Sequence, residues 1–534
     1  MILYTNANLF NPADGTWKVQ SFSVENGKVT ALDPDNAGAY TVIDLQGRRV
    51  IPGLIDAHVH IESSLLTPRE FGRLIIRHGV TAAICDPHEI ANVAGAGGID
   101  FMLADARESP ADLLFMVPSC VPATPTEVGG AIMMADDLKQ YVGNPQVLGL
   151  GEMMNVPGVL ADDPEVCAKL ALFKYIDGHA PGLAGDGLKQ YAAHGITSDH
   201  ECTTVGELRD RTALGMYVFL REGDAAKNVA DLAPGVTADN IDYCAFCTDD
   251  RHADSLAAEG SIDHCIRTAV KAGMPLETAI RLATLTVTKA RGLSDRGMIA
   301  PGYRADFCVL EDCDEFRVAD VYKDGIKVNA DAPSDAPQLS APVPPFLVPK
   351  LTAADIAYPQ GGMLKGIAAT PGTLLTEAFA TTGNEPGVNK LVCIDRYRGE
   401  QFSCCPVRGL HIERGAIAGS IMHDAHHLMV AGANDEDMLK AVETAVKVGG
   451  GMVVCIDGRV TVVSLPVGGL MSAQRYEVLV TEMAELTAAL KETGADPHAF
   501  MMLSFLGLTV IPHLKLTPRG LFDGDAFADI GPFW

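Results

Sequence analysis

Basic side chains are scarce in this sequence: 41 Lys and Arg stand against 68 Asp and Glu, a formal net charge of −27 over 534 residues. A surface of that sign repels phosphate backbones and anionic membranes, which excludes nucleic-acid polymers as partners and favours a neutral small molecule. No apolar run approaches the ~18 uninterrupted residues that suggest a membrane span. The opening Met1-Ile2-Leu3-Tyr4 has no basic stretch and runs straight into a strand-like pattern, so no secretory leader is expected. Nor do the cysteines pair by pattern. There are 13, odd in number and scattered, and Cys244-x-x-Cys247 has no second CxxC to complete a zinc finger. In a strand, residues three apart face opposite sides, so these two are expected in the core. The natural home of such a chain is the reducing cytoplasm.

What is present is a well-cored globular chain, 48% apolar and 20% charged, long enough for two to four domains. Residues 1–50 read as short strands (1–6, 21–25, 28–32, 40–45) separated by turn signals such as Glu25-Asn26-Gly27. Residues 301–330 look similar, with strands expected at 305–310, 318–323 and 326–328 around Asp324-Gly325. The two pieces are expected to pair into one composite β-sandwich. Between them, residues 51–300 alternate short apolar runs (53–58, 80–85, 113–117, 147–151, 175–178, 196–199, 216–220, 243–248) with helical segments. Those helices are expected at 69–78, 96–107, 164–172, 185–193, 204–214 and 262–272. Eight strand–helix units in about 250 residues predict an α/β fold of the (β/α)8 TIM-like barrel type, whose active groups sit at the C-terminal strand ends.

The strand ends carry the chemistry. Strand one ends in His58-Val59-His60, and residues i and i+2 of a strand point to one face. Strand two ends in Asp86-Pro87-His88-Glu89, strand four in Glu152, strand five in His179, strand six in His200 and strand eight in Asp249-Asp250-Arg251-His252. Metal-binding side chains thus end strands one, four, five, six and eight, where a barrel would converge them. Four histidines and two carboxylates exceed what one four-coordinate ion needs. Glu152 is the candidate bridge between two ions, with His58, His60 and Asp249 on one and His179 and His200 on the other. A nitrogen and oxygen donor set without thiolate suits Zn2+, Fe2+ or Mn2+ alike. Two divalent ions ~3.5–4 Å apart generate hydroxide at neutral pH. Asp249 would shuttle its proton to a leaving group, which predicts hydrolytic attack on an sp2 carbon.

These residues carry a family resemblance. Pro52-Gly53-Leu54-Ile55-Asp56-Ala57-His58-Val59-His60 resembles the strand-one signature of the amidohydrolase superfamily. His58-Val59-His60-Ile61-Glu62-Ser63-Ser64, Asp86-Pro87-His88-Glu89-Ile90-Ala91-Asn92-Val93 and Cys247-Thr248-Asp249-Asp250-Arg251-His252 resemble the bacterial adenine deaminases. So do Met422-His423-Asp424-Ala425-His426-His427 and Leu465-Pro466-Val467-Gly468-Gly469-Leu470-Met471-Ser472, so the likeness spans almost the whole chain. Many dinuclear superfamily members bridge their metals with a carbamylated lysine; strand four here offers Glu152 and no lysine. The resemblance implies conversion of adenine and water to hypoxanthine and ammonia in purine salvage, and the expected assembly is a homo-oligomer, a dimer. Within enzymes the alternative is an amidohydrolase acting on a cyclic amide or N-acetyl group; outside them, a metal-binding homologue without turnover.

Other residues are candidates of a second order. Glu62, two positions past His60, would protonate the purine ring, or else is a solvated loop carboxylate. Asp86, His88 and His252 are expected near one another across strand one, as a further metal site, a grip on the purine edge or a hydrogen-bonded cluster. Arg221 and Glu222 end strand seven and are candidates for substrate binding; Asp250 is the alternative to Asp249 as ligand. Residues 331–349, within a stretch of six prolines, are expected to form a stiff linker. Residues 350–534 then form an additional C-terminal α/β domain, with strands at 390–394, 451–456 and 459–464 and helices at 435–448 and 472–493. Its cluster His423-Asp424-His426-His427 reads either as a lid or dimer surface over the barrel mouth or, preferred here, as a local histidine group capped by hydrogen bonds.

Overall fold

The computed structural model describes residues 1–35, 40–124, 127–312, 315–332, 339–340, 343–370 and 375–534. The first five strands are β1 (Ile2–Asn11), β2 (Thr16–Glu25), β3 (Lys28–Leu32), β4 (Thr41–Asp44) and β5 (Arg49–Pro52). Eight short strands follow: β6 (Leu54–Val59), β7 (Val80–Cys85), β8 (Asp112–Val117), β9 (Val147–Met153), β10 (Ile176–Gly178), β11 (Ser198–Asp199), β12 (Tyr217–Arg221) and β13 (Cys244–Cys247). Then come β14 (Phe307–Asp312), β15 (Arg317–Lys323) and β16 (Ile326–Lys327).

Strands β6 to β13 make a TIM-like parallel barrel. β6 through β10 form one parallel run and β11 through β13 another. Two seams close the circle. Thr197 N donates to Ile176 O at 2.8 Å between β10 and β11, and Asp249 N donates to His58 O at 3.1 Å between β13 and β6. The interior is filled by alternating small and large side chains, Ala57, Ala82 and Ala245 against Ile55, Ile84, Met116 and Phe219, so the barrel is a packed core with its chemistry confined to the rim. The helix Val205–Ala213 opens on a capping box, Thr204 Oγ1 accepting from Glu207 N at 3.3 Å, which is why a local reading finds it. The helix expected from 96 instead starts at His88 and runs to Asp105 with a break at Gly95. Glu62 Oε1 accepts from Ile90 N at 3.1 Å in its first turn, a cap from 28 residues away with no local signature.

The flanking strands share one eight-stranded sheet, in the order β16-β15-β14-β5-β1-β2-β3 with β4 beside β1. The join is antiparallel pairing of Phe307, Cys308 and Val309 with Pro52, Ile51 and Val50. Tyr4, Phe22, Phe307 and Tyr322 pack as a ring cluster over it. The expected linker falls partly on residues 333–338 and 341–342, outside the described residues.

Residues from Leu364 to Ser464 form a second eight-stranded sheet. It carries the helix Asp435–Lys447, capped by Asn434 Oδ1 on Asp437 N at 2.8 Å. This unit is fixed to the barrel. Ser472 N donates to Leu65 O at 2.8 Å, Tyr476 N to Glu70 Oε2 at 3.1 Å, and Arg73 Nη2 meets Glu477 Oε1 at 2.9 Å. One continuous apolar core includes Leu65, Leu66 and Phe71 from the barrel side and Leu470, Met471 and Tyr476 from the other.

Candidate metal centre

The rim is built by side chains whose backbones are locked from below. Asp56, on the same face of β6 as His58, accepts from Thr248 N at 3.1 Å and from Thr248 Oγ1 at 2.5 Å, pinning the end of β13 beside β6. Asp177 of β10 takes both Nη atoms of Arg291 at 2.5 and 2.8 Å and lies 3.7 Å from His58 Nδ1. A carboxylate behind an imidazole turns the other ring nitrogen forward. Tyr191 ties two strand ends together, donating to Met153 O at 2.7 Å and accepting from His179 N at 3.1 Å. Asp199 accepts from Glu201 N at 3.0 Å and Arg211 Nε at 2.7 Å, which fixes the turn that presents His200.

Two groups of donor atoms result. His58 Nε2 and His60 Nε2 are 3.1 Å apart, and Asp249 Oδ1 lies 3.5 and 3.1 Å from them. His179 Nδ1 and His200 Nε2 lie 3.1 and 3.2 Å from Glu152 Oε2. Glu152 reaches both groups, because its Oε1 is 3.6 Å from His60 Nε2. Glu201 joins the second group at 3.5 Å from His179 Nδ1 and 3.4 Å from His200 Nε2. A third set is His60, His88 and Glu152, with His88 Nδ1 3.5 Å from Glu152 Oε1. The buried Asp86 Oδ1 and His88 Nδ1 have no hydrogen-bond partner among the described residues. Convergent nitrogen and oxygen donors with unspent lone pairs fit divalent cations.

Residues 49–328 match the Amidohydrolase family, and residues 374–528 match the Adenine deaminase C-terminal domain. An adenine deaminase of Methanoculleus marisnigri is 47% identical over 96% of this chain and 99% of its own length. One of Nitratidesulfovibrio vulgaris is 44% identical over 92% of this chain and 90% of its own. The chain belongs to the adenine deaminase family. Its relatives include archaeal as well as bacterial proteins, so the resemblance holds at the level of the family.

The electrostatics of the rim favour positive charge. Burial alone would lower the His58 imidazole, yet Asp177 and Asp249 push it up to about 9. His179, equally opposed by burial, is pushed up to about 10 by Glu201 and Glu152. Burial would raise Glu152, but His179, His200 and His60 hold it well below the carboxylate range. Such mutual shifts are what a cluster built to neutralise cations produces.

The other candidates are placed differently from expectation. His252 is not with Asp86 and His88: Asp224 accepts both its backbone N–H at 2.8 Å and its ring Nδ1–H at 3.1 Å, holding it toward strand seven. Glu62 is buried, neither a solvated loop carboxylate nor on the cavity wall. Its Oε1 serves as the helix cap, and burial with the nearby Glu89 charge pushes it up to about 8. Arg221 spends its Nη atoms on Asp249 Oδ2 at 2.9 Å and Glu201 Oε2 at 3.0 Å. Glu222 lies 3.8 Å from His264 Nε2 and off the cavity wall. Asp250 is held by the Ser63 hydroxyl at 2.5 Å, and it is Asp249 that converges on the histidines. Asp86 supports from beneath, accepting from Glu152 N at 2.8 Å.

The preferred reading of the C-terminal histidine group is corrected. His423 and Asp424 line the same cavity of about 660 Å3 as the rim histidines, with Phe505, Leu508, Val510 and Ile511. His423 Nδ1 lies 3.3 Å from Glu89 Oε1, across the junction with the barrel. Both ring nitrogens of the buried His426 lack a partner among the described residues, so hydrogen bonds do not cap the group. Glu201 was missed by sequence reasoning. Its signal was adjacency, because a residue leaving a strand end beside a ligand can turn into the same rim.

Proposed function

We propose that the chain is an adenine aminohydrolase, converting adenine and water to hypoxanthine and ammonia. The observation that carries this is Glu152, whose carboxylate stands between His58 and His60 on one side and His179 and His200 on the other. His58, His60 and Asp249 would hold one divalent cation, His179 and His200 a second, with Glu152 between them; Glu201 and His88 stand within reach of the set. Two such cations, Mn2+, Fe2+ or Zn2+, would supply hydroxide at neutral pH and polarise the substrate. Asp249 takes the proton of the attacking water and passes one to the departing amine. His58 and His60, with Arg221 at 2.9 Å on the other oxygen, keep that carboxylate ionised before the attack. Addition at C6 makes the carbon tetrahedral; of the two protons of water one ends on N1 and the other goes through Asp249 to the amine, and collapse expels ammonia. The apolar side of the cavity, from Met154 and Leu183 to Ile511, excludes bulk water around a flat base.

The organisation we favour has a composite domain of residues 1–50 and 301–330, a catalytic barrel of 51–300, a linker at 331–349 and a roof of 350–534. A cytoplasmic setting suits the twelve unpaired cysteines among the described residues. The test is to incubate metal-reconstituted protein with adenine, adenosine and 6-substituted purines and follow base composition and ammonia. Stoichiometric hypoxanthine and ammonia from adenine support the reading. A metal-loaded, folded protein that releases no ammonia from adenine overturns it.

A further inference from the structure

The polar wall of the 660 Å3 cavity is almost entirely committed. His60, Glu152, His179, His200, Asp249, Glu201 and His88 belong to the donor groups. Arg221 is spent on Glu201 and Asp249, Asp250 takes the Ser63 hydroxyl, and Glu89 faces His423 and Ser63. Asp424 differs. Its side chain is only 7% exposed, and its ion-pair partner among the described residues is His423, with Nδ1 3.9 Å from Oδ1. Its Oδ2 is enclosed with no hydrogen-bond partner among the described residues, so the carboxylate can meet a ligand only through Oδ1, which no described hydrogen bond engages. A buried carboxylate oxygen without a donor is costly, so a protein that keeps one at a ligand cavity gains when the ligand brings the donor.

The shape of the slot says which donor. One end is the rim of histidines, where the reacting carbon must sit. Asp424 comes from the C-terminal unit, on a different element from the rim strands, and shares the cavity wall with Phe505, Leu508 and Ile511. A purine whose six-membered ring reacts at the rim presents its imidazole ring toward the roof. In a free base that ring carries an N–H; in an N9-substituted purine it does not.

Resting on the adenine reading above, we propose that Asp424 is the specificity subsite for the free base, its carboxylate accepting the imidazole N–H of the purine. A nucleoside or N9-alkyl purine would then leave the carboxylate buried and unpaired. Sites that hydrogen-bond a substrate N–H reject the analogue lacking it by about 10^4-fold.

The experiment compares kcat/KM for adenine and 9-methyladenine in the wild type, Asp424→Asn and Asp424→Ala, with metal content measured on each. The wild type is expected to prefer adenine by about 10^3-fold or more. In Asp424→Ala adenine turnover falls by about 10^2-fold, and in Asp424→Asn, whose amide oxygen still accepts, by less, while 9-methyladenine changes little in either, so the ratio collapses in the alanine variant at unchanged metal content. Equal losses on the two substrates would mark Asp424 as structural and overturn the proposal. Should the variants fail to fold, inhibition of the wild type by purine and 9-methylpurine decides: a large advantage for purine supports it, and equal inhibition overturns it. Wild-type turnover of adenine with an unmoved ratio sinks this inference alone, whereas a wild type inert toward adenine sinks the reading beneath it.

Discussion

Glu152 does with one side chain what many relatives in its superfamily do with a modified lysine: it addresses two donor groups at once. Its Oε2 lies 3.1 and 3.2 Å from His179 and His200 while Oε1 turns to His60 and His88. Glu152→Gln keeps the shape and replaces one oxygen with an amide nitrogen that cannot ligate. Metal content per chain and ammonia release should therefore fall together, the rate by about 10^2-fold or more. Elemental analysis alongside an ammonia assay checks this, and full occupancy at the wild-type rate would refute the bridging role. A second residue tells a stability story away from the centre. Lys515 is wholly buried, and desolvation pushes its ammonium down to about 8 from 10.5. Below pH 8 both folded and unfolded chains are protonated there, and the fold carries the cost of an enclosed charge. Between about 8 and 10.5 the unfolded chain still binds a proton that the folded chain has released, so this site's contribution to stability rises with pH. A Lys515→Met variant lacks this titration, so its melting temperature relative to wild type should fall between pH 7 and pH 10, read by thermal unfolding at the two pH values.

At the scale of elements, close packing under the rim is as decisive as the ligands. An ideal Cβ at Gly151 would sit 2.2 Å from Asp86 Oδ2, the atom that accepts from Glu152 N. Gly151→Ala must push Asp86 away or bend β9, and either movement turns Glu152. The variant should lose about 1–3 kcal/mol of stability and bind metal about 10- to 100-fold more weakly, read by thermal unfolding and metal titration; unchanged metal affinity would show that Asp86 does not position Glu152. The barrel was legible in the sequence because its signals are local. A two-residue period aims His58 and His60 together, and short apolar runs ending in Glu152, His179, His200 and Asp249 repeat at strand–helix spacing. What escaped was set by distant contacts. The cap from Glu62 starts the helix at His88, Asp224 draws His252 out of the rim, and nothing near His423 in sequence announces Glu89 as its neighbour.

Across the whole molecule, the donor groups draw on β6, β9, β10, β11 and β13, which lie in the two separate parallel runs of the barrel. Hydrogen bonds join those runs between Thr197 and Ile176 on one side and, on the other, from Asp249 to His58, His60 to Asp249 and Thr248 to Asp56. Bound cations, held by donors from both runs, would act as a further fastening of the barrel as well as its reactive centre. The roof adds to this, since His423 meets Glu89 directly beside the rim and the apolar core is continuous between the two parts. Exhaustive chelation should accordingly cost stability and activity in the same titration. Ligands present at 100 to 1,000 times their dissociation constant stabilise the folded state by about 2.7 to 4.1 kcal/mol. The stripped protein should melt several degrees lower and release no ammonia from adenine, and readdition of Mn2+, Fe2+ or Zn2+ should restore both. Calorimetry and an ammonia assay on the same samples give the answer. A protein that keeps its full turnover after its metal has been shown to be gone would leave the histidine rim without a chemical purpose, and one that loses turnover with no change in melting would show that the strands hold together without the cations.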